Sequence, residues 1–341
     1  MAFRRFFHFN SVPLSREEAE FPLAYGIVAY KSPIQFLYML SAFYHPQNVY
    51  CIAVGANSKL DFQNLVEDVS KCYPNVYLMK RPEIRWGSFE IINSVYECLE
   101  FLATLKVPWK YFQYLSGFDA PLKTNLEMVR IFKALRGSPN FEFKKYEAKR
   151  AKTQNLSKFP LKLFKSSLSA LIPRESANDM TKSEMVHRLL KFLEGTEIAD
   201  ESFWATVLAN KDVFPIFGAI NGSELMETLD KFQSTTSLVF RNYYISRRQI
   251  WEGDPCHGHF KSGSCVFGIG DLPSLLNSKE LVGHKFYVED SPTAFVCVLK
   301  EIQQRSMRPA DFNTTFYENL PQIELVQGVP AANLTNLKWF L

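Results

Sequence analysis

Apolar and polar positions alternate along the first third of the chain with two different periods. AYGIVAY (24–30) is a short apolar run, and from Pro33 to Tyr44 the apolar residues return at helical spacing. VYCIAV (49–54) is rich in β-formers, and Leu60, Phe62, Leu65, Val66 and Val69 then mark one face of a helix. NVYLM (75–79) precedes a third helix after Ser88, with Phe89, Ile92, Val95 and Leu99 on one side, and KYFQYL (110–115) reads as a fourth strand. Thr124 and Glu127 have the spacing of a capping box opening a fourth helix. Strands alternating with helices predict an α/β domain, with a mainly parallel central sheet and helices on both faces. Ligands of such sheets bind beyond the carboxyl ends of the strands, where the strand order reverses.

The pattern breaks between Phe141 and Lys165 into a basic, turn-rich segment, which reads as a solvated loop or a binding loop. Thr181 with Glu184 predicts the cap of a further helix, Asp200 another, and Asp271 a short one. Beyond Arg241 the chain is irregular until SCVFG (264–268), and Ser291-Pro292 opens the last long helix. The expected division is an N-terminal segment 1–20, one domain over 21–306, and a loosely packed tail over 307–341.

Composition narrows the function. The chain has 341 residues, 47% of them apolar and 15% aromatic, enough for a large core and against extensive disorder. A net charge of +4 permits an anionic ligand without pointing to nucleic acid. No apolar run approaches the ~18 residues of a membrane span. Cys51, Cys72, Cys98, Cys256, Cys265 and Cys297, with sequons at Asn155, Asn221, Asn313 and Asn333, favour an oxidising compartment. There is no phosphate-binding P-loop, no H-E-x-x-H and no G-x-S-x-G. Cys256-His257-Gly258-His259 followed by Cys265 fits either a zinc site or a local disulfide, the latter being simpler because such close ligands rarely close a tetrahedron.

Two charged features invite a chemical reading. IADESFWATV (198–207) pairs Asp200 and Glu201 with an apolar run. Glu201 is there either the first-turn acid of a core helix or a catalytic carboxylate. Lys261 and Lys285 are cations near predicted loop and strand ends, and the chain has no Asp-x-Asp to hold a metal on a departing diphosphate.

FPLAYGIVAYK, HPQNVYCIAV, CYPNVYLMKR, WKYFQYLSGFDAPLKTNLEMV, DESFWATV, PCHGH and CVFGIGDL form an ordered set between Phe21 and Glu301. In order and spacing this set resembles the family 14 glycosyltransferases, specifically the core 2 / I-branching β-1,6-N-acetylglucosaminyltransferases. The resemblance implies a GT-A-like α/β fold and inverting, metal-independent transfer of N-acetylglucosamine from UDP-GlcNAc, with no cofactor. The acceptor would be the 6-hydroxyl of a Galβ1-3GalNAc-type O-glycan on a glycoprotein. Glu201 would be the general base. Lys285 and Lys261 would meet the diphosphate, in a donor pocket that includes Tyr30, Gly55 and Asp119. Glu142, Arg150 and Trp251 would bind the acceptor. The family's cysteine pattern implies Cys51–Cys98 and Cys256–Cys265, with Cys72 and Cys297 matching cysteines whose partners lie in an N-terminal stem. It also implies residence on the lumenal side of the Golgi membrane, through an anchor outside this sequence.

The chain departs from the family pattern at three places. Ala53 and Gly55 replace a His-x-Asp, and Ser262 stands where an Arg is usual, with Lys261 beside it. These departures keep two alternatives in view: a weakly active or inactive glycan-binding relative, and a donor change toward the xylosyltransferase branch.

Overall fold

The computed structural model describes residues 6–235 and 244–336. Four parallel strands form the centre of the main sheet: β1 (Leu23–Val28), β2 (Val49–Gly55), β3 (Val76–Arg81) and β4 (Tyr111–Ser116). A short strand β5 (Asp119–Pro121) follows, then β6 (Asn140–Phe141), β7 (Lys144–Lys145), β8 (Phe164–Lys165) and β9 (Ala170–Pro173). The strand order is β3-β2-β1-β4-β9-β6, with β9 antiparallel to both neighbours. Outside this sheet β10 (His259–Lys261) pairs with β11 (Ser264–Val266), β12 (Val282–His284) with β5, and β7 with β8.

Side-chain alternation on the strands divides the interior into two cores. Leu23, Tyr25, Ile27, Tyr50, Ile52 and Val54 face one side, where the helices Pro33–Phe43, Leu60–Cys72, Asn125–Ala134 and Pro292–Met307 pack. Ala24, Val49, Cys51 and Ala53 face the other, covered by the helices Glu90–Thr104, Arg174–Thr181, Glu184–Leu193 and Phe203–Leu208. Both faces are therefore buried, which is why the central strands carry long apolar runs. This is the α/β arrangement expected, a mainly parallel central sheet with helices on both faces.

The disulfide Cys51–Cys98 ties β2 to the helix beneath it across a sequence separation of 47 residues. Closing a loop of that length contributes about 4 kcal/mol in the chain-entropy view. Cys256–Cys265, separated by 9 residues, is the second bridge, so the thiolate zinc reading of that segment does not hold. Cys72 and Cys297 are exposed free thiols.

The capping box at Thr124 forms: Glu127 N–H donates to Thr124 Oγ1, and Thr124 N–H donates to the Glu127 carboxylate. Three other cap expectations need correction. Thr181 is the last residue of its helix, and Ser183, with extended backbone, caps Glu184–Leu193 through Met185 N–H. Asp200 lies inside a 3-10 turn (Ala199–Glu201), and the helix Phe203–Leu208 starts after Ser202. Asp271 likewise has helical backbone, and its carboxylate accepts instead from His257 N–H and Gly268 N–H, stapling the Cys256–Cys265 loop. The end of the chain is also packed more closely than expected. Tyr317, Leu320 and Ile323 are buried in the first core, and Leu325, Ala331 and Leu334 in the second.

Candidate active site

β1 runs on to β2 and β3 on one side, and β4 returns on the other, so the order reverses between β1 and β4. The ligand crevice that such a sheet forms beyond that point has Tyr30 and Lys31 after β1, and Gly117 and Phe118 after β4. Three lysines converge here on aromatic rings. Lys31 Nζ lies 5.6 Å from the Tyr30 ring centroid, 5.3 Å from Phe118 and 5.2 Å from Tyr287. Lys261 Nζ stands 4.5 Å from the Tyr287 ring and Lys285 Nζ 5.9 Å from it. Tyr30 is half-exposed, whereas Phe118 and Tyr287 are buried.

Lys285 is only 6% exposed and its ammonium donates to the Lys261 carbonyl. Burial, and then the charge of Lys261, pull its pKa below the usual lysine value. Among the described residues, carboxylates reach this cluster only at its edge, Asp290 at 3.9 Å from Lys261 and Glu289 at 3.8 Å from Lys31. Such a group of under-compensated cations on aromatic walls suits a polyanion.

The hairpin carrying Lys261 explains why the neighbouring serine is no substitute for it. Ser262 and Gly263 have φ of 50° and 75°, forming the tight turn between β10 and β11. Such a turn faces its tip outward, so the strand residue Lys261 is the one brought beside Lys285. Gly55 is equally constrained. A Cβ there would lie 2.6 Å from Asn57 Oδ1 and 3.0 Å from Ile84. Asn57 occupies that space, donating to Ile84 O and accepting from Ile84 N–H.

Glu201 lies in a second cluster. Its carboxylate accepts from Arg150 Nη1 at 2.8 Å and has Lys165 Nζ at 3.7 Å, and its side chain is 26% exposed. Glu147 pairs with the same two cations at 3.0 and 2.8 Å, and Lys165 first of all draws its pKa down to about 2. Backbone bonds hold the position: Ser166 N–H donates to Glu201 O, and β8, which carries Lys165, pairs with β7. Trp204 anchors the following helix, fully buried with its indole N–H on Leu168 O. Glu142 is paired with Lys144 on β7, on the same flank. Trp251 is half-exposed and bridges to Ser264, which puts it against the hairpin that carries Lys261.

A buried ionic junction holds Asp119, expected in the donor pocket, against Arg247 and His284, which the sequence had not singled out as site residues. Asp119 is fully buried and accepts from Ser116 N–H, Ser116 Oγ, His284 Nδ1 and Arg247 Nη2, at 2.8, 2.9, 2.7 and 3.1 Å. Burial alone would raise its pKa, but Arg247 and His284 outweigh that and the net shift is downward. With both oxygens engaged, Asp119 holds its neighbours in place and has no oxygen left facing the crevice. Arg247 also stacks over the Tyr114 ring at 5.0 Å, and its charge reaches Asp200. Asp200 is half-buried, and its Oδ1, shut off from solvent, has no hydrogen-bond partner among the described residues. Burial first, and the charge of Glu201 second, push its pKa up to about 7. Lys31 directly follows an apolar strand and His284 directly precedes Lys285, which are the only sequence signals these residues carried.

Asn155, Asn313 and Asn333 are exposed. Asn221 is half-buried, with its amide donating to Asp212 and accepting from Glu224 N–H. Among the described residues the one close group of metal-ligating side chains is Cys256, Cys265 and Asp271, whose sulfurs are already joined to each other. Among the same residues no helix is long and apolar enough to cross a membrane.

Residues 23–275 match the model of the Core-2/I-branching enzyme family. The chain belongs to that family. It is 30% identical over 322 residues to the human beta-1,3-galactosyl-O-glycosyl-glycoprotein beta-1,6-N-acetylglucosaminyltransferase, covering 86% of this chain and 73% of the relative. To the mouse N-acetyllactosaminide beta-1,6-N-acetylglucosaminyl-transferase it is 28% identical over 327 residues, covering 89% and 78%. Among solved structures it resembles S. aureus TarS 1-349 only loosely, with a TM-score of 0.29, 10% identity, and coverage of 51% of this chain and 56% of that one. As a member of the Core-2/I-branching family the protein is a glycosyltransferase, and the crevice at the β1/β4 reversal is its candidate active site.

Proposed function

We propose that this enzyme transfers N-acetylglucosamine from UDP-GlcNAc to the 6-hydroxyl of a GalNAc or Gal residue, branching O-glycans with inversion and without a metal. The observation that carries the reading is the lysine–aromatic cluster at the strand-order reversal of a chain in this family. Lys285, Lys261 and Lys31 would neutralise the departing diphosphate, work that a divalent cation does in other enzymes. Glu201 would accept the proton of the attacking hydroxyl. With an oxocarbenium-like transition state the proton leaves late, so a carboxylate within hydrogen-bond reach of the hydroxyl suffices. Arg150 and Lys165 fix the orientation of that carboxylate. Glu142 and Arg150 would line the acceptor side, and Trp251 would give an aromatic face to a sugar ring. We place the enzyme on the lumenal side of the Golgi membrane, where its two disulfides persist.

The space at Gly55 favours a second reading, a relative that binds glycans without turnover, because the end of the Asn57 side chain stands where a side chain at that position would begin. One experiment separates the two. Purified protein is incubated with UDP-GlcNAc, or UDP-xylose, and a Galβ1-3GalNAc acceptor in EDTA, beside Glu201→Gln. The expected result is transfer from UDP-GlcNAc by the unmodified protein and none by the variant. Absence of transfer from either donor, together with absence of UDP binding by calorimetry, would overturn the catalytic reading. Transfer that EDTA abolishes would overturn its metal-free form.

A further inference from the structure

His284 precedes Lys285 in the chain, and its ring is oriented by a fully buried carboxylate. Asp119, fully buried, accepts at Oδ1 from His284 Nδ1 at 2.7 Å, while Ser116 Oγ, 3.3 Å from the same nitrogen, donates its own proton to Asp119. A carboxylate only accepts, so the proton of the neutral ring sits on Nδ1 and Nε2 carries a lone pair. Among the described residues the ring makes no further hydrogen bond, and its side chain keeps 16% of its surface exposed. Nε2 is therefore a fixed acceptor without a protein donor, at the carboxyl end of β4.

Inversion by in-line attack requires the nucleophile and the leaving oxygen on opposite sides of the anomeric carbon. The transferred sugar must then lie between the base and the diphosphate cations. The residues connect in that order: Lys285 follows His284 in the chain, His284 donates to Asp119, Asp119 accepts from Arg247, and the Arg247 charge acts on Asp200, which precedes Glu201. We infer that His284 Nε2 accepts a hydrogen bond from a hydroxyl of the donor sugar, making His284 a specificity-determining residue for the transferred unit. This inference rests on the donor-site reading above. Arg247, Asp119 and Lys285 are the charged groups facing the ring. Burial first, and then the Arg247 charge, lower the pKa of His284, which keeps Nε2 able to accept at neutral pH.

The test uses His284→Asn and His284→Gln. The Asn amide reproduces the Nδ1 donor to Asp119 and places nothing at Nε2, whereas Gln reaches toward the Nε2 position. Calorimetry with UDP-GlcNAc and with UDP, beside thermal melts to verify folding, separates contact from support. The expected result for Asn is a loss of about 10-fold in UDP-GlcNAc affinity, the size of one good hydrogen bond, with UDP affinity unchanged. Gln should recover part of the loss. If the Asn variant binds UDP-GlcNAc like the unmodified protein, the inference is overturned. A parallel fall in UDP affinity also overturns it, because His284 would then act only through Lys285. If the unmodified protein binds no UDP at all, the donor-site reading itself fails, and a folding defect in Asn alone leaves Gln to decide.

Discussion

The two charged clusters of the crevice are built on opposite principles. Around Glu201 the cations are each matched by carboxylates of the protein: Arg150 and Lys165 are shared between Glu201 and Glu147, and Lys144 is paired with Glu142. Around Lys285 three ammonium groups gather on Tyr30, Phe118 and Tyr287, and the carboxylates Glu289 and Asp290 reach only the outer two lysines, at 3.8 and 3.9 Å. A compensated network fixes a side chain in one orientation, as positioning a base requires. An under-compensated one stores attraction for an anion that has yet to arrive, as a leaving diphosphate requires. On the proposed reading, the difference teaches that the acceptor half is pre-organised by the protein's own ion pairs, while the donor half would be completed by its ligand.

The comparison breaks most sharply at Glu201. Glu201→Gln keeps the size of the side chain and removes its basicity. It should lower kcat by about 10^3-fold, within the range for loss of a general base, with UDP affinity unchanged by calorimetry. Lys285→Ala should instead cost about 10^2-fold in kcat/KM and weaken UDP binding in parallel, as expected when a donor to developing charge is removed. Equal effects of the two variants on UDP affinity would erase the proposed division of labour.

Smaller effects sharpen the picture. Lys31→Ala and Lys261→Ala, at more exposed positions, should each weaken UDP binding by about 5-fold, and the loss should shrink as salt screens the site. Insensitivity of both variants to salt would argue against an electrostatic role.

Asp200 allows a test on the acceptor side that needs no substrate. Its folded-state pKa is raised to about 7. Between the ordinary aspartate value and that point the folded protein binds more protons than the unfolded chain, so stability falls as pH rises through this window. Above it both states are ionised and the loss levels off. Asp200→Asn should remove this slope and stabilise the protein at pH 8 by about 2 kcal/mol, discounted from the full linkage value for water reaching the group. Thermal melts from pH 4 to 8 check it, and an unchanged slope in the variant would show that Asp200 is not its source.

Much of the fold was legible in the sequence because its signals are local. The alternating apolar runs of β1 to β4, the amphipathic faces at Phe62–Val66–Val69 and Ile92–Val95–Leu99, and the Thr124 capping box each depend on residues a few positions apart. The misplaced caps mark the limit of that reading. Asp200 and Asp271 have the right chemistry for N-caps, but a cap needs extended backbone, and tertiary contacts placed both in helical turns. The tail failed for a related reason. Its short helices Thr315–Glu318 and Pro321–Val326 are too brief to show a period, and burial of Tyr317 and Ile323 against distant elements holds them.

By itself the sequence determined the strand–helix alternation, the resemblance that singled out Glu201 and Lys285, and the cysteine pairs later found bonded. Only the tertiary structure decided how those residues meet. Asp119 and His284 are 165 positions apart, and Arg247 lies 128 from Asp119. Nothing in their neighbourhoods announces a partner. They come together because the reversal of strand order opens a crevice at the end of β4, and β12 returns to pair with β5 at its rim. Periodicity is a property of neighbouring residues, whereas a buried ionic junction depends on which crossovers the whole sheet adopts. The proposed base could therefore be named from the chain, and the histidine bonded to the Asp119–Arg247 pair could not.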